Sequence, residues 1–378
     1  MEKIKGLDTL RAFAVFFVII QHFGVWFDYT SPSGKFITNV LIPDGGFGVD
    51  LFFVLSGFLI TSILLKAKIA ARGNDRFVLI RNFFIRRALR IFPIYYLLLF
   101  LLFAINYHDI RHYFIYFVTY TANILSWRTN SWNSFSHTWT LAVEEQFYIL
   151  WPWLIIFVRE KYLKYVFGAA IITGICSTYY NMEVQGHMGP LLVFNCFDAF
   201  GMGGLYAWAR LGNDRLKRFE TATKVLAVIA LCLYFYWKIA QLRNYPLAGL
   251  SMIKTVNAVI ALWLIILVIN NRSAWIGKYL LGNRFLNYIG KISYGIYLYH
   301  YVYLGLLFNT VNGFLYRITL PYPALNKTIH DSHVDYWIEV SVMIGIAAIS
   351  YALIEKPLLN LKKYFTYIAD TQEIRSGV

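Results

Sequence analysis

The stretch "LRAFAVFFVIIQH", Leu10 to His22, decides the fold. It is an apolar run that starts beside an arginine and ends on a histidine, two side chains that are costly to place in hydrocarbon. Read as an α-helix, the eleven steps from Arg11 to His22 rise about 16 Å and bring the two side chains to within about 20° of one face. The segment therefore reads as a membrane-spanning helix that carries two ionisable groups on one side, with Arg11 near one boundary and His22 past mid-depth. Ionisable groups at such depth mark sites more often than packing.

The rest of the chain agrees. Its 378 residues are 58% hydrophobic, 19% aromatic and only 15% charged, with a mean hydropathy of +0.52, whereas soluble domains carry about a quarter charged residues. Apolar segments near the roughly 20 residues that cross a bilayer recur at 7–27, 44–65, 88–107, 138–158, 163–180, 191–210, 222–240, 248–270, 287–309 and 336–355. With the N-terminus in the cytoplasm, the inside segments carry 26 Lys and Arg and the outside loops 8, the asymmetry that sets membrane orientation. The expectation is an all-α, polytopic helical bundle of about ten transmembrane helices, with both termini cytoplasmic. It forms a single integral membrane domain over 1–378, whose cytoplasmic tail covers about 356–378. Ile110 to Ser126 is apolar enough to be an eleventh, re-entrant or interfacial segment.

Composition also excludes. The net charge of +15 lies in cytoplasmic loops and needs no nucleic-acid partner. Cys176, Cys196 and Cys232 stand singly inside spans, which supports neither a disulfide framework nor a thiolate metal site, and no metal is expected. The start "MEKIKGLDTLRAF" has no small-residue cleavage site after a short apolar core, so the first span reads as retained. There is no Walker-type loop, dinucleotide fingerprint or repeat.

Polar groups recur within other spans. In "SHTWTLAVEEQFYILWPW", Ser136 to Trp153, Glu144 lies roughly 11 Å below His137 on the same face, at a depth comparable with His22. Glu144 and Glu145 point about 100° apart. A carboxylate beside a histidine fixes its tautomer and raises its basicity, as a proton-abstracting imidazole requires; the structural alternative is a His–Glu pair between helices. In "RNFFIRRALRIFPIYY", Arg81 to Tyr96, Arg86, Arg87 and Arg90 are three and four residues apart and form a cationic patch. Arginine suits phosphate oxygens, and Lys66, Lys68, Arg72 and Arg76 precede the patch, although topology alone also places basic residues here. "PDGGFGVDLFFVLSGFLIT", Pro43 to Thr61, adds glycines for close helix packing and Asp50, which reads as a cap or a structural pair before a reacting group. "ISYGIYLYHYVYL" buries His300 among tyrosines, as a core or substrate-contacting histidine.

Together these stretches resemble acyltransferase family 3, membrane proteins that O-acylate sugars and related acceptors with acyl-CoA. The resemblance rests on Arg11 and His22, "GGFGVDLFFVLSGFLI", "RRALRIFPIYY", "HTWTLAVEEQFYILWP", "ISYGIYLYH" and the "EKP" at Glu355 to Pro357, which occur in the family's order over nearly the whole chain. It implies that His22 is the essential histidine with Arg11 its companion, that Glu144 rather than Glu145 is the recurring glutamate, and that Arg87 and Arg90 are the paired arginines. Some relatives carry a fused extracytoplasmic esterase domain; this chain ends about twenty residues after its last span, like the stand-alone branch.

The implied function is transfer of an acetyl group from cytoplasmic acetyl-CoA to a hydroxyl of an extracytoplasmic carbohydrate, namely a surface polysaccharide, an O-antigen or a lipid-linked precursor. The location would be the bacterial cytoplasmic (inner) membrane. His22 would act as general base oriented by Glu144; Arg11, Arg87 and Arg90 would bind acyl-CoA; and Asp50, His137 and His300 would support. An acyl-histidine relay is the other chemical route. The rival class is a multi-span transporter or flippase for a sugar, lipid or organic acid, which also uses intramembrane His, Glu and Arg but often shows two related halves that this sequence lacks. A structural subunit of a glycan-assembly complex is a third reading, in which the buried charges would be replaceable.

Overall fold

The computed structural model of the chain describes residues 6–23, 31–71, 76–132, 135–243, 249, 251–271, 273, 275–329 and 332–367. Arg72 and the last part of the tail lie outside them. The described residues are helical and contain no strand.

Ten principal helices carry the fold: α1 (Leu7–Phe23), α2 (Gly45–Ala70), α3 (Arg76–Ala104), α4 (Trp139–Phe157), α5 (Glu160–Tyr179), α6 (Phe197–Ala209), α7 (Asn213–Leu242), α8 (Met252–Ile269), α9 (Arg284–Val302) and α10 (Ser332–Ser350). Each of the ten apolar segments of the sequence falls on one of them. Among the described residues, five continuous helical stretches are long and apolar enough to cross a membrane: Ser33–Ala70, Arg76–Ala104, Asn213–Leu242, Met252–Ile269 and Val334–Tyr364. Large apolar side chains lie exposed along them, among them Leu97, Phe100 and Leu101 on α3 and Val225, Val228 and Ile229 on α7. A soluble protein does not expose apolar surface on that scale; lipid-facing helices do. The protein is an all-α membrane helical bundle.

Ile110 to Ser126 does not form a further spanning helix. It is divided between the short helices Phe114–Val118 and Ala122–Thr129. Tyr120 between them has φ 53°, a left-handed conformation that interrupts a right-handed helix. At about 1.5 Å per residue neither piece approaches the bilayer thickness.

The chain divides into two compact units, one of residues 1–52 and 223–351, the other of residues 53–222 and 352–378. In the first unit α1 packs along α9 at very short range: a Cβ at Gly290 would lie 1.8 Å from the Asp8 carbonyl oxygen, so only glycine allows this approach. In the second unit α2 and α6 cross just as closely. A Cβ at Gly57 would lie 2.2 Å from the Phe200 carbonyl oxygen, and one at Gly203 2.2 Å from that of Val54. Helices in lipid gain little from hydrophobic burial against one another and rely on such close backbone packing. Trp151 of α4 completes this core by donating its indole N–H to Thr61 Oγ1 of α2 at 2.8 Å.

Candidate active site

In the first unit the end of α1 presents His22. The residue keeps substantial accessible surface, while its ring lies against aromatic neighbours. The ring centroids of His22 and His300 are 5.0 Å apart, and Tyr301 stands edge-on to His22 at 5.6 Å. Phe23 stacks on Tyr303 at 6.0 Å and meets Tyr336 edge-on, and the Tyr303 hydroxyl donates to Glu339.

His300 is fully buried, and its Nδ1 sits on the Tyr297 carbonyl oxygen. A carbonyl can only accept, so Nδ1 carries the proton; in the neutral ring Nε2 then holds the lone pair. One turn of α9 thereby fixes the tautomer of the histidine that faces His22. Sequence reading placed His300 among tyrosines without this partner, although Tyr297 lies three residues before it, where a helical backbone carbonyl is in reach.

Arg11 donates from Nη1 to Asp8 Oδ1 at 3.1 Å, a local pair at the start of α1. A guanidinium has five donors, so the pair leaves Arg11 able to bind a further acceptor. Asp50, buried in α2, accepts from Asn257 Nδ2 of α8 at 3.1 Å, which fits the structural reading of this aspartate. Lys238 Nζ meets Asp44 Oδ2 at 2.9 Å.

In the second unit α4 holds Glu144 with both carboxylate oxygens engaged. Ser56 Oγ donates to Oε1 at 3.0 Å, and the Tyr148 hydroxyl donates to Oε2 at 3.2 Å. Tyr148 follows Glu144 by four residues, one helical turn on the same face, and Ser56 comes from the glycine-bearing stretch of α2. Arg87 lies over the Tyr148 ring at 5.0 Å and the Phe83 ring at 5.6 Å. Both Arg87 and Arg90 act electrostatically on Glu144. The sequence assigned the glutamate and the arginines to separate tasks, and the structure brings them into one cluster.

Glu145 is buried, and its Oε1 has no hydrogen-bond partner among the described residues. His137 is buried in the turn that precedes α4, edge-on to Phe135 at 4.9 Å. Lys68, read from the sequence as part of the basic entrance, donates to the carbonyls of Ile155 and Val158 and so closes the end of α4. No group of metal-binding side chains occurs among the described residues.

The second unit also contains a feature that the sequence did not reveal. Residues 361–367 lie against the start of α3 through hydrogen bonds from Asn82 and Arg86. Burial pushes the Tyr367 phenol above its ordinary pKa, against the opposing pull of Arg87 and Arg86.

The helices of this membrane bundle thus carry a histidine in one unit and a glutamate with clustered arginines in the other. The chain belongs to acyltransferase family 3: residues 4–355 match its acyltransferase domain. Among relatives, the chain is 31% identical to "Putative peptidoglycan O-acetyltransferase YrhL" of Bacillus subtilis (strain 168), over 94% of this chain and 55% of the relative. It is 24% identical to "Peptidoglycan O-acetyltransferase OatA" of Listeria monocytogenes serovar 1/2a (strain ATCC BAA-679 / EGD-e), over 94% of this chain and 56% of the relative. The chain thus spans about half the length of these relatives. No solved structure matches it.

Proposed function

We propose that the protein is a multi-pass O-acetyltransferase of the bacterial inner membrane, which moves an acetyl group from cytoplasmic acetyl-CoA to a hydroxyl of an extracytoplasmic cell-envelope glycan. The relatives' names point to a peptidoglycan-type acceptor, and a surface polysaccharide or its lipid-linked precursor is the same chemistry. The observation that carries the reading is His22: an accessible imidazole at the end of α1, set against a second histidine of fixed tautomer.

His22 acts as general base. It takes the proton of the acceptor hydroxyl, and the oxygen attacks the acyl carbon of the thioester that the donor supplies. The C–O bond forms, the C–S bond breaks, and the imidazolium returns its proton to the departing thiolate. His300, with its proton held on Nδ1 by Tyr297, packs against the His22 ring and so limits its orientation toward the acceptor. Arg87 and Arg90 bind the donor's phosphates through guanidinium forks, and Arg11 adds a contact through the donors that Asp8 leaves. Glu144 is the second group that the reaction requires. Asp50 and His137 support the helices that carry these residues.

The test is incorporation of labelled acetyl from acetyl-CoA into the host's envelope glycan, with wild type compared with His22→Ala inserted at equal level. Loss of a general base costs about 10²- to 10⁴-fold, so label is expected only with wild type. Equal label in both would remove His22 from the mechanism. Label in neither, after the acyl donor and glycan have been varied, would return the transporter reading.

A further inference from the structure

His22 stands in the last turn of α1. The final four carbonyls of a helix have no partner within it, so this turn is the least constrained part of the element. A reacting imidazole carried there needs anchors from outside α1, because an error of about 1 Å in placement costs about a hundredfold in rate. His300 and Tyr301 of α9 supply ring contacts. A second anchor comes from the start of α2, in the same unit.

Gln21, the residue before His22, accepts through Oε1 from the Gly45 main-chain N–H at 2.5 Å. A main-chain N–H can only donate, so the amide oxygen is the atom that faces Gly45. Gly45 opens α2, where the N–H groups of the first turn have no partner within the helix. Gln21 keeps large accessible surface, so burial does not fix its side chain and the hydrogen bond does. A Cβ on Gly45 would lie 2.5 Å from Gln21 Oε1 and 3.2 Å from its Cδ; a larger residue at 45 therefore displaces the amide.

The same two helices meet further along. Phe17 stands edge-on to Phe47 at 5.8 Å, and a Cβ on Gly48 would lie 2.4 Å from the Ala14 carbonyl oxygen. Residues 14, 17 and 21 are three and four apart, which is one face of α1. The start of α2 is itself held: Asp44 Oδ1 accepts from the Phe47 N–H at 2.9 Å, and Oδ2 pairs with Lys238 of α7 at 2.9 Å. Gln21 thus ties the turn that carries His22 to a helix start that α7 also secures.

We propose that Gln21 is a positioning residue for His22: by accepting from Gly45 it locks the last turn of α1 onto the start of α2 and sets where the imidazole stands. The inference rests on the reading of His22 as general base and adds the residue that places it.

Steady-state acetyl transfer by the full chain in nanodiscs, with the host's envelope glycan as acceptor, tests the proposal. The proteins are wild type, His22→Ala, Gln21→Met, Gln21→Glu, Gly45→Ala and the double variant Gln21→Met with Gly45→Ala, at matched insertion. Methionine keeps the length of the side chain and removes the acceptor oxygen. Gln21→Met is expected to lower kcat about tenfold, the effect of one lost hydrogen bond, and to leave the KM for acetyl-CoA unchanged. A carboxylate also accepts from an N–H and suits a helix N-terminus, so Gln21→Glu should keep most of the rate. Gly45→Ala should match Gln21→Met, and the double variant should be no slower than either, since all three remove the same bond.

Wild-type kcat in Gln21→Met, equal losses in Gln21→Met and Gln21→Glu, or losses that multiply in the double variant would each overturn the inference. The acetyltransferase reading stands in those cases if wild type transfers acetyl and His22→Ala does not. The two Gln21 variants decide alone if Gly45→Ala fails to insert. Wild type that transfers no acetyl after donor and glycan have been varied, or His22→Ala that matches it, overturns both.

Discussion

In the unit that holds His22, charged side chains meet complementary partners close at hand: Arg11 with Asp8, Lys238 with Asp44, and Asp50 with Asn257. In the unit that holds Glu144, that carboxylate accepts from the neutral hydroxyls of Ser56 and Tyr148, and Arg87 and Arg90 act on it electrostatically. Buried charge is expensive unless it is paired. The first pattern neutralises each charge in a separate local pair. The second gathers charges of both signs into one cluster. One membrane protein thus treats charge in two ways, with isolated pairs in one unit and a mixed cluster in the other.

Exchange of a single carboxylate should break this comparison most sharply. Glu144→Gln is expected to lower acetyl transfer at least about a hundredfold, whereas Glu145→Gln retains much of it. Steady-state assays of both proteins at matched insertion check this, and equal losses would undo the choice between the neighbours. A fall in kcat alone would tie Glu144 to the base, and a rise in the KM for acetyl-CoA would tie it to Arg87.

Removal of the arginines sharpens the second half. Arg87→Ala with Arg90→Ala should raise the KM for acetyl-CoA about tenfold or more with a smaller change in kcat, because phosphate contacts act on ground state and transition state alike. An unchanged KM would reduce the patch to a topology signal. The smallest expected effect is at His300. His300→Phe should lower kcat about tenfold and leave the donor KM in place, and His300→Gln, which keeps a polar group within reach, should recover part of the loss. A uniform change in both variants and both constants would make His300 a packing residue.

Much of this was legible in the sequence. Spanning helices announce themselves by apolar length, and all ten segments lie on helices. Helical geometry also pointed to the arginine patch, whereas the roles given to His22 and Glu144 came from the family resemblance and are proposals. The hidden parts share a physical cause. The Ser56 bond to Glu144 joins residues 88 apart, the Asn257 bond to Asp50 residues 207 apart, and the Arg86 bond to the tail residues 276 apart; no local periodicity encodes such pairings. Wide helical turns also escaped notice, at Tyr180–Val184, Ile276–Leu281, Tyr303–Leu307 and Tyr351–Glu355. Each adds a residue to a turn and rotates the helix beyond it, so a helical wheel drawn from His300 loses phase at Tyr303. Ile110 to Ser126 stayed open between a spanning, a re-entrant and an interfacial segment because its apolar content suits a buried short helix as well as a spanning one, and the backbone at Tyr120 removes the spanning form.

The grip on the tail bears on how this protein changes over generations. Asn82 and Arg86 hold carbonyl oxygens of the main chain, and every amino acid provides the same oxygen. Substitutions at Lys362, Lys363 or Thr366 therefore alter the chemistry that the segment displays without dislodging it. Selection can rewrite the side chains displayed there while the helices, constrained by glycine contacts, stay as they are.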